Sequence, residues 1–396
     1  MTQIHPAEPS SDRNAPLDVL HVYKIYLPDI KGGVPMVIRQ LATGMAAHCR
    51  ASILAARARG TPRRVMVDGI PVRRTLALCN VLSLPIAPLY PLRLWQMARR
   101  SDLMVHHVPF PLVDVAISLW FPKRCGLVVH WHSEVHASSA AQQRVLPLLR
   151  GVIARTLRRA DRIIVPSAAM IEQSPFLGPF AQKCEVVPYG IDIAYWSELS
   201  PSELRQVRDI RSQYPRLVVT AGRLVSMKGF DVLIESFAGV DGQLMILGAG
   251  PLEADLRALV EARGLGDRVQ ITGRSYDRGE FKYALHAARV FVMPSLAETF
   301  GLVQLEAMAC GRAVVNTRLP TLVPLVARHE REALTVSPGS AAELTAALGA
   351  LLTDEARCTA LGQNGLRRVT ETFGEAAYFA RTLQIYREVV AARRAR

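Results

Sequence analysis

The sequence predicts two doubly wound α/β domains in tandem, and three observations carry the prediction. The chain has 396 residues, more than one ordinary hydrophobic core serves. Short apolar runs alternate with helix-period stretches along it, the pattern of strand–helix–strand units in a mostly parallel sheet. That alternation breaks over residues 188–201, where Pro188, Gly190 and Pro201 interrupt any period, and then restarts. With 50% hydrophobic and 21% charged residues, the composition supports sizeable cores and gives no sign of disorder.

Residues 1–16 are polar and carry prolines without an apolar run, so they read as a flexible arm rather than a secretory signal. Residues 17–198 read as the first domain. Strands are expected near 18–24, 51–55, 103–106, 127–131, 162–166 and 185–187, with helices over 34–48 and 146–159. The apolar stretch 76–92 contains Asn80, Ser83, Pro85, Pro88 and Pro91. It reads as a loop or surface segment, not a membrane span. The break at 188–201 is the expected linker.

Residues 199–374 read as the second domain. Its strands are expected near 217–221, 243–247, 269–272, 290–293 and 313–315. Its helices are expected over 229–237, 252–263, 281–287, 301–308, 341–352 and 355–370. Over 375–396, Ala376, Phe379, Leu383, Tyr386 and Val390 recur at three- and four-residue steps, one face of a final helix. Its closing Arg393, Arg394 and Arg396 suit a helix C-terminus; membrane contact is the sharper alternative.

The formal charge is +14, and the first 198 residues carry most of it, with 23 Lys and Arg against 13 Asp and Glu. Such a surface suits phosphorylated ligands, anionic lipid or nucleic acid. Nucleic acid lacks support, because there is neither a helix-turn-helix signature nor an aromatic-basic platform. The six cysteines are widely spaced and form no C-x-x-C pair, the usage of reduced thiols in a cytosolic chain. No Cys/His group has metal-ligand spacing along the sequence, so no metal site is expected.

Four motifs fall at the C-terminal ends of expected strands, where open α/β sheets bind ligands. In the stretch 221–229, Arg223 and Lys228 stand five apart in a Gly-bearing loop. They could clamp a diphosphate or be two solvated charges. Gly248 and Gly250 follow the next strand and allow close backbone approach or a plain tight turn. Glu298 precedes a helix starting near Gly301, and Glu306 lies inside it between Leu305 and Ala307. A carboxylate among apolar neighbours is seldom buried without a partner, and it can accept two ribose hydroxyls. In the first half, Lys31, Gly32 and Gly33 join the first strand to the first helix and admit a ligand to the backbone.

Taken together, G-R-L-x-x-x-K-G at 222–229 and E-x-F-G-L-x-x-x-E at 298–306 resemble the retaining glycosyltransferases of the GT-B fold, specifically family 4. LGAGPLEADL, VPYGID and PSLAETFGLVQLEAMACG fit the same pattern, and the resemblance covers nearly the whole chain. VLHVYKIYLPDIKGGV and VVHWHSE are similar to the mannosyl- and rhamnosyltransferase branch of bacterial exopolysaccharide and O-antigen assembly. The branch often has an acidic residue soon after the paired glycines, where this chain has Val34-Pro35.

The resemblance implies two Rossmann-like domains facing a cleft, with a final helix crossing back to the first. It implies that Arg223 and Lys228 neutralise the donor diphosphate, that Glu306 holds the ribose and that Glu298 meets the transferred sugar. Phe300, Gly301 and Leu302 would supply backbone near sugar and phosphates, and Gly33 would meet the diphosphate. His132 matches the family's histidine near the sugar. The base would contact Gly273 and Arg274. No D-x-D occurs, which fits a fold that needs no divalent metal, and no cofactor is expected beyond the substrate nucleotide-sugar.

The expected reaction moves a hexose, mannose from GDP-mannose, onto a saccharide linked to polyprenyl diphosphate. GDP-rhamnose and UDP-sugars are alternative donors, and a non-catalytic sugar-nucleotide-binding subunit is the alternative of another class. The acceptor is expected on the first domain, with His106, His107 and Glu134 as candidate contacts. Six arginines over 57–74, then Leu92, Arg93, Trp95, Arg99 and Arg100, suit either a peripheral protein on the cytoplasmic face of the plasma membrane or a loop and helix packed on the sheet with solvated arginines.

Overall fold

The structure, a computed structural model, describes residues 15–29, 32–81, 84–134 and 140–396. Most of the expected N-terminal arm, together with Lys31, lies outside these residues. The chain divides into two compact units, Met1–Pro188 joined by Tyr378–Arg396, and Tyr189–Ala377.

In the first unit the strands are β1 (Leu17–Val22), β2 (Cys49–Arg57), β3 (Arg64–Val67), β4 (Ile70–Leu76), a hairpin of β5 (Cys79–Val81) and β6 (Leu84–Ile86), β7 (Leu103–Val108), β8 (Gly126–Trp131), β9 (Arg162–Val165) and β10 (Cys184–Val186). Eight form one sheet in the order β10-β9-β8-β7-β1-β2-β4-β3, parallel except for β3. Every residue of β7 and β8 is buried, as expected of central strands covered on both faces. The chain runs outward from β1 through β2, then returns to β7 and runs the other way. The topological switch therefore lies between β1 and β7.

Register decides which side chains meet there. His21 pairs opposite Val105, and His107 opposite His130. Neighbours in register share a face and alternate residues switch faces. His21, His107 and His130 thus project to one side of the sheet, and His132 follows two residues on. His106 projects to the other side, onto Asp114 of the helix Pro111–Leu119.

The final helix, Glu375–Arg394, lies on this unit from Tyr378 onward. A Cβ on Gly44 would collide with the Phe379 ring, and one on Gly126 with Val389, so these glycines mark where the helix presses on the unit. Its buried face is Tyr378, Thr382, Leu383, Ile385, Tyr386, Val389 and Val390. This stripe is displaced from the expected one: Ala376 is exposed, while the polar Thr382 is fully buried. Arg381 pairs with Glu185 (2.7 Å), Arg393 with Asp161 (2.9 Å) and Arg394 with Asp102 (3.0 Å). The tail arginines therefore clamp the helix to its own unit.

The second unit has β11 (Leu217–Ala221), β12 (Gln243–Leu247), β13 (Val269–Ile271), β14 (Val290–Met293), β15 (Ala313–Thr317) and β16 (Ala333–Val336), all parallel, in the order β13-β12-β11-β14-β15-β16. Its switch lies between β11 and β14. Val218, Leu244, Ile246, Val292 and Val315 pack with Leu233, Ile234, Leu348 and Leu351 in its core.

Two expectations need correction. Most of the expected linker 188–201 is built into the second unit. Asp192 caps the helix Ile193–Ser197, Trp196 is buried, and Ile191 bridges to Gly374. The stretch 76–92 is not merely a loop. Its described residues include the β5–β6 hairpin and the start of the helix Tyr90–Ala98, with Pro91 in the first turn, where a missing N–H costs nothing.

Candidate functional site

In the second unit, four loops leave the C-terminal ends of the adjacent strands β13, β12, β11 and β14. Gly222 donates its N–H to Leu247 O (2.9 Å) and Leu224 donates to Ala249 O (3.0 Å). A Cβ on Gly248 would strike the Gly222 carbonyl, and one on Gly250 the Leu224 backbone. These two glycines thus let the loops touch each other. Gly273 has φ 66°, and a side chain there would meet Glu253 and Arg257.

The loop after β11 continues through a short turn, Ser226–Lys228, to Gly229 at φ 63°. A Cβ on Gly229 would run into the Pro294 carbonyl. Leu296 N–H and Ala297 N–H both donate to Met227 O, at 2.8 and 3.2 Å. The loops after β11 and β14 are thereby fastened together across the switch point. Lys228 Nζ meets Glu298 Oε2 at 2.6 Å, and Thr299 N–H donates to Glu298 Oε1 at 3.0 Å. Both side chains of the ion pair keep about a fifth of their exposure. Arg223 is exposed, and its guanidinium makes no hydrogen bond or ion pair among the described residues. The result is a held cation and carboxylate beside a free guanidinium.

Gly301, at φ 73°, precedes the helix Leu302–Ala309. A Cβ there would hit Met293 Sδ, so glycine is needed both for the backbone and for space. Leu302 is the partly exposed first residue of the helix. Phe300 is a core side chain, edge-on to Tyr189 at 4.8 Å and to Phe373 at 6.1 Å. Glu306 keeps some solvent contact. Even so, crowding by surrounding atoms pushes its carboxyl up to about 7, with the Arg278 charge opposing the rise. Arg278 itself stacks over Tyr195, 4.0 Å from the ring centre. Burial, then the Glu306 charge, pushes Tyr276 upward. Sequence reasoning missed Tyr276 and Arg278. The Asp277–Glu280 capping box that positions them was readable as D-x-x-E. Arg274 is occupied by the same box, its guanidinium 2.5 and 3.0 Å from Glu280.

In the first unit, Gly32 is extended and caps the helix Gly33–Gly44. Neither glycine is demanded by packing: a Cβ on Gly33 would meet nothing, and one on Gly32 only Pro35 at 4.0 Å. Nearby, the buried Arg74 pairs with Asp29 at 2.6 Å and donates to Pro62 O, bracing the loop that leads to Gly32. At least one of the six arginines over 57–74 is therefore structural.

At the switch of this unit the imidazoles form a chain. His21 Nδ1 lies 3.0 Å from His107 Nε2, and His107 Nδ1 lies 2.7 Å from His132 Nε2. His107 and His132 are nearly parallel, 5.1 Å apart, and His130 stands edge-on to both. Burial holds His21 down to about 4 and His132 to about 3, and depresses His107 and His130 strongly, so the four rings are neutral at physiological pH. His106 is fully buried with Nε2 3.2 Å from Asp114 Oδ1. Glu134 accepts from Trp131 Nε1 at 3.0 Å, and its Oε2 is buried without a hydrogen-bond partner. No Cys/His group has metal-ligand spacing along the sequence, but parallel register gathers His107, His130 and His132 into one cluster in space.

A tandem of doubly wound, almost wholly parallel sheets is the architecture of the GT-B glycosyltransferases. Residues 31–195 match the family described as Glycosyltransferase Family 4, and residues 203–368 match Glycosyl transferases group 1. The chain belongs to family 4 of the GT-B glycosyltransferases and is a sugar-transferring enzyme. It is 27% identical to D-rhamnosyltransferase WbpZ of Pseudomonas aeruginosa, over 90% of this chain and 92% of that one. It is 28% identical to O-antigen chain mannosyltransferase C of Escherichia coli, over 90% and 94%. In fold it is similar to Anabaena HepE, solved with UDP and glucose, at a TM-score of 0.75 and 20% identity over 93% of this chain and 99% of that one. Both relatives are mannosyl- or rhamnosyltransferases, and one of them builds O-antigen chains.

Proposed function

We propose that this enzyme is a retaining, metal-independent transferase moving mannose from GDP-mannose onto a saccharide carried by polyprenyl diphosphate. The observation that carries the reading is the Lys228–Glu298 pair at the β11/β14 switch, with Arg223 free beside it. Negative charge grows on the β-phosphate as the glycosidic bond breaks. Arg223 and Lys228 are fixed cations for that charge, and pre-placed charge needs little reorganisation during reaction. Lys228 can turn from Glu298 to the diphosphate, freeing Glu298 to accept sugar hydroxyls. Glu306 takes the ribose hydroxyls. Backbone at Phe300, Gly301 and Leu302 lines the sugar and phosphates, and Gly273 and Arg274 meet the base. Gly32 and Gly33 are assigned to the diphosphate, and the buried His132 to the sugar, on the family resemblance alone. No carboxylate is assigned as nucleophile, so attack on the face from which the leaving group departs, through an oxocarbenium-like state, accounts for retention.

Mannose is supported by the mannosyltransferase and rhamnosyltransferase relatives. Membrane attachment is supported by one surface of the first unit. Trp120 is 55% exposed and stacks on Trp95 at 3.9 Å, with Arg99 over Trp95 and Leu89, Leu92 and Leu119 exposed. Among the described residues no helix is long and apolar enough to cross a membrane. A thermal-shift panel tests the donor, since a bound donor raises apparent stability by mass action. GDP and GDP-mannose should raise Tm more than UDP and UDP-glucose; the reverse order would replace GDP-mannose as donor.

A further inference from the structure

The histidine cluster exceeds what sugar contact requires. One ring nitrogen from each of His107, His130 and His132 lies within 4.8 Å of those of the other two. The three rings are 0%, 2% and 4% exposed. His130 Nε2 is buried and makes no hydrogen bond among the described residues, a cost of about 1–3 kcal/mol that proteins seldom leave standing. We propose that His107, His130 and His132 bind a single first-row transition-metal ion, zinc above all, and that the bound ion shuts off sugar transfer.

Three neutral imidazoles are a ligand set for zinc, copper, nickel or iron, and too nitrogen-rich for magnesium or calcium. Tetrahedral zinc with Zn–N near 2.0–2.1 Å sets its nitrogens about 3.3 Å apart. His107 and His132 would open slightly from their 2.7 Å hydrogen bond, and His130 would swing inward. The outer arrangement is already present. When His107 binds through Nδ1, its Nε2–H donates to His21 Nδ1, 3.0 Å away. A ligating histidine characteristically directs its other N–H to such an acceptor. The strands enforce the set, since β7 and β8 are hydrogen-bonded neighbours with His107 opposite His130.

Inhibition follows because His132 belongs to both sites, and this part rests on its proposed sugar contact. Metal binding itself does not, so the two readings fail separately. The metal-stripped full-length chain is titrated with Co²⁺ and with Zn²⁺, and sugar transfer is assayed in parallel. The wild type should take up one Co²⁺ with the intense visible bands of a tetrahedral site. Zn²⁺ should lower transfer at least tenfold, and chelator should restore it. His130→Gln and His130→Phe should lose the bands and the zinc sensitivity while keeping zinc-free transfer, and His21→Phe should weaken Co²⁺ binding roughly 10–100-fold. A wild-type chain without tetrahedral Co²⁺ bands, or bands unchanged in both His130 variants, overturns the site. Stoichiometric metal without loss of transfer overturns the inhibition.

Discussion

Glu306 is the residue whose chemistry is most exposed to test. Its carboxyl is raised to about 7 because the ionised form is poorly solvated inside the helix Leu302–Ala309. A raised carboxyl favours the folded state most below its ordinary value near 4.5, and that contribution is lost as pH rises through about 7. Glu306→Gln is therefore expected to raise Tm above pH 7 and to flatten the fall of Tm across the interval. Ribose hydroxyls donate to the ionised carboxylate, so donor affinity should climb as pH passes through about 7 and then level off. In Glu306→Gln that climb should vanish. Calorimetric titration with GDP at several pH values, paired with melting curves, reads both effects. A pH-independent affinity in the wild type would remove Glu306 from the ribose site.

At the scale of elements, the helix Tyr90–Ala98 and the end of the helix Pro111–Leu119 bring Trp95 and Trp120 together. Burial, with the charges of Arg64, Arg93 and Arg100, lowers Arg73, a sign of crowded positive charge close by. Vesicles containing anionic lipid should bind the protein at low salt and release it as salt approaches about 1 M, where screening acts over about 3 Å. Trp120→Ser should weaken the binding, and salt-independent binding would count against the basic surface. Legibility divided by element for physical reasons. β11, β12 and β14 were predictable to the residue, because each is a short apolar run between polar breaks. β4 was missed since Arg73 and Arg74 interrupt its apolar pattern, and β16 was missed as well. The helix Pro201–Gln213 was missed although Ser200 and Glu203 form a readable capping box. The histidine cluster was illegible. Residues 21, 107, 130 and 132 have no common spacing, and only strand order and register unite them.

Across the whole molecule, the two units repeat one plan. Each places its polar groups at the C-terminal ends of the strands flanking a topological switch, neutral imidazoles in the first and the Lys228–Glu298 pair in the second. That placement after the strands explains why Arg223, Lys228, Glu298 and Glu306 could be found from order and spacing, while their mutual contacts could not. The central claim is that the second unit stabilises a nucleoside diphosphate as it leaves. The most direct measurement is transfer of labelled hexose from GDP-mannose by the wild type and by Lys228→Ala, with Tm recorded for both. Removal of one such preorganised group should lower kcat by roughly 10²–10³-fold with little change in Tm. Near wild-type turnover in Lys228→Ala would contradict the account.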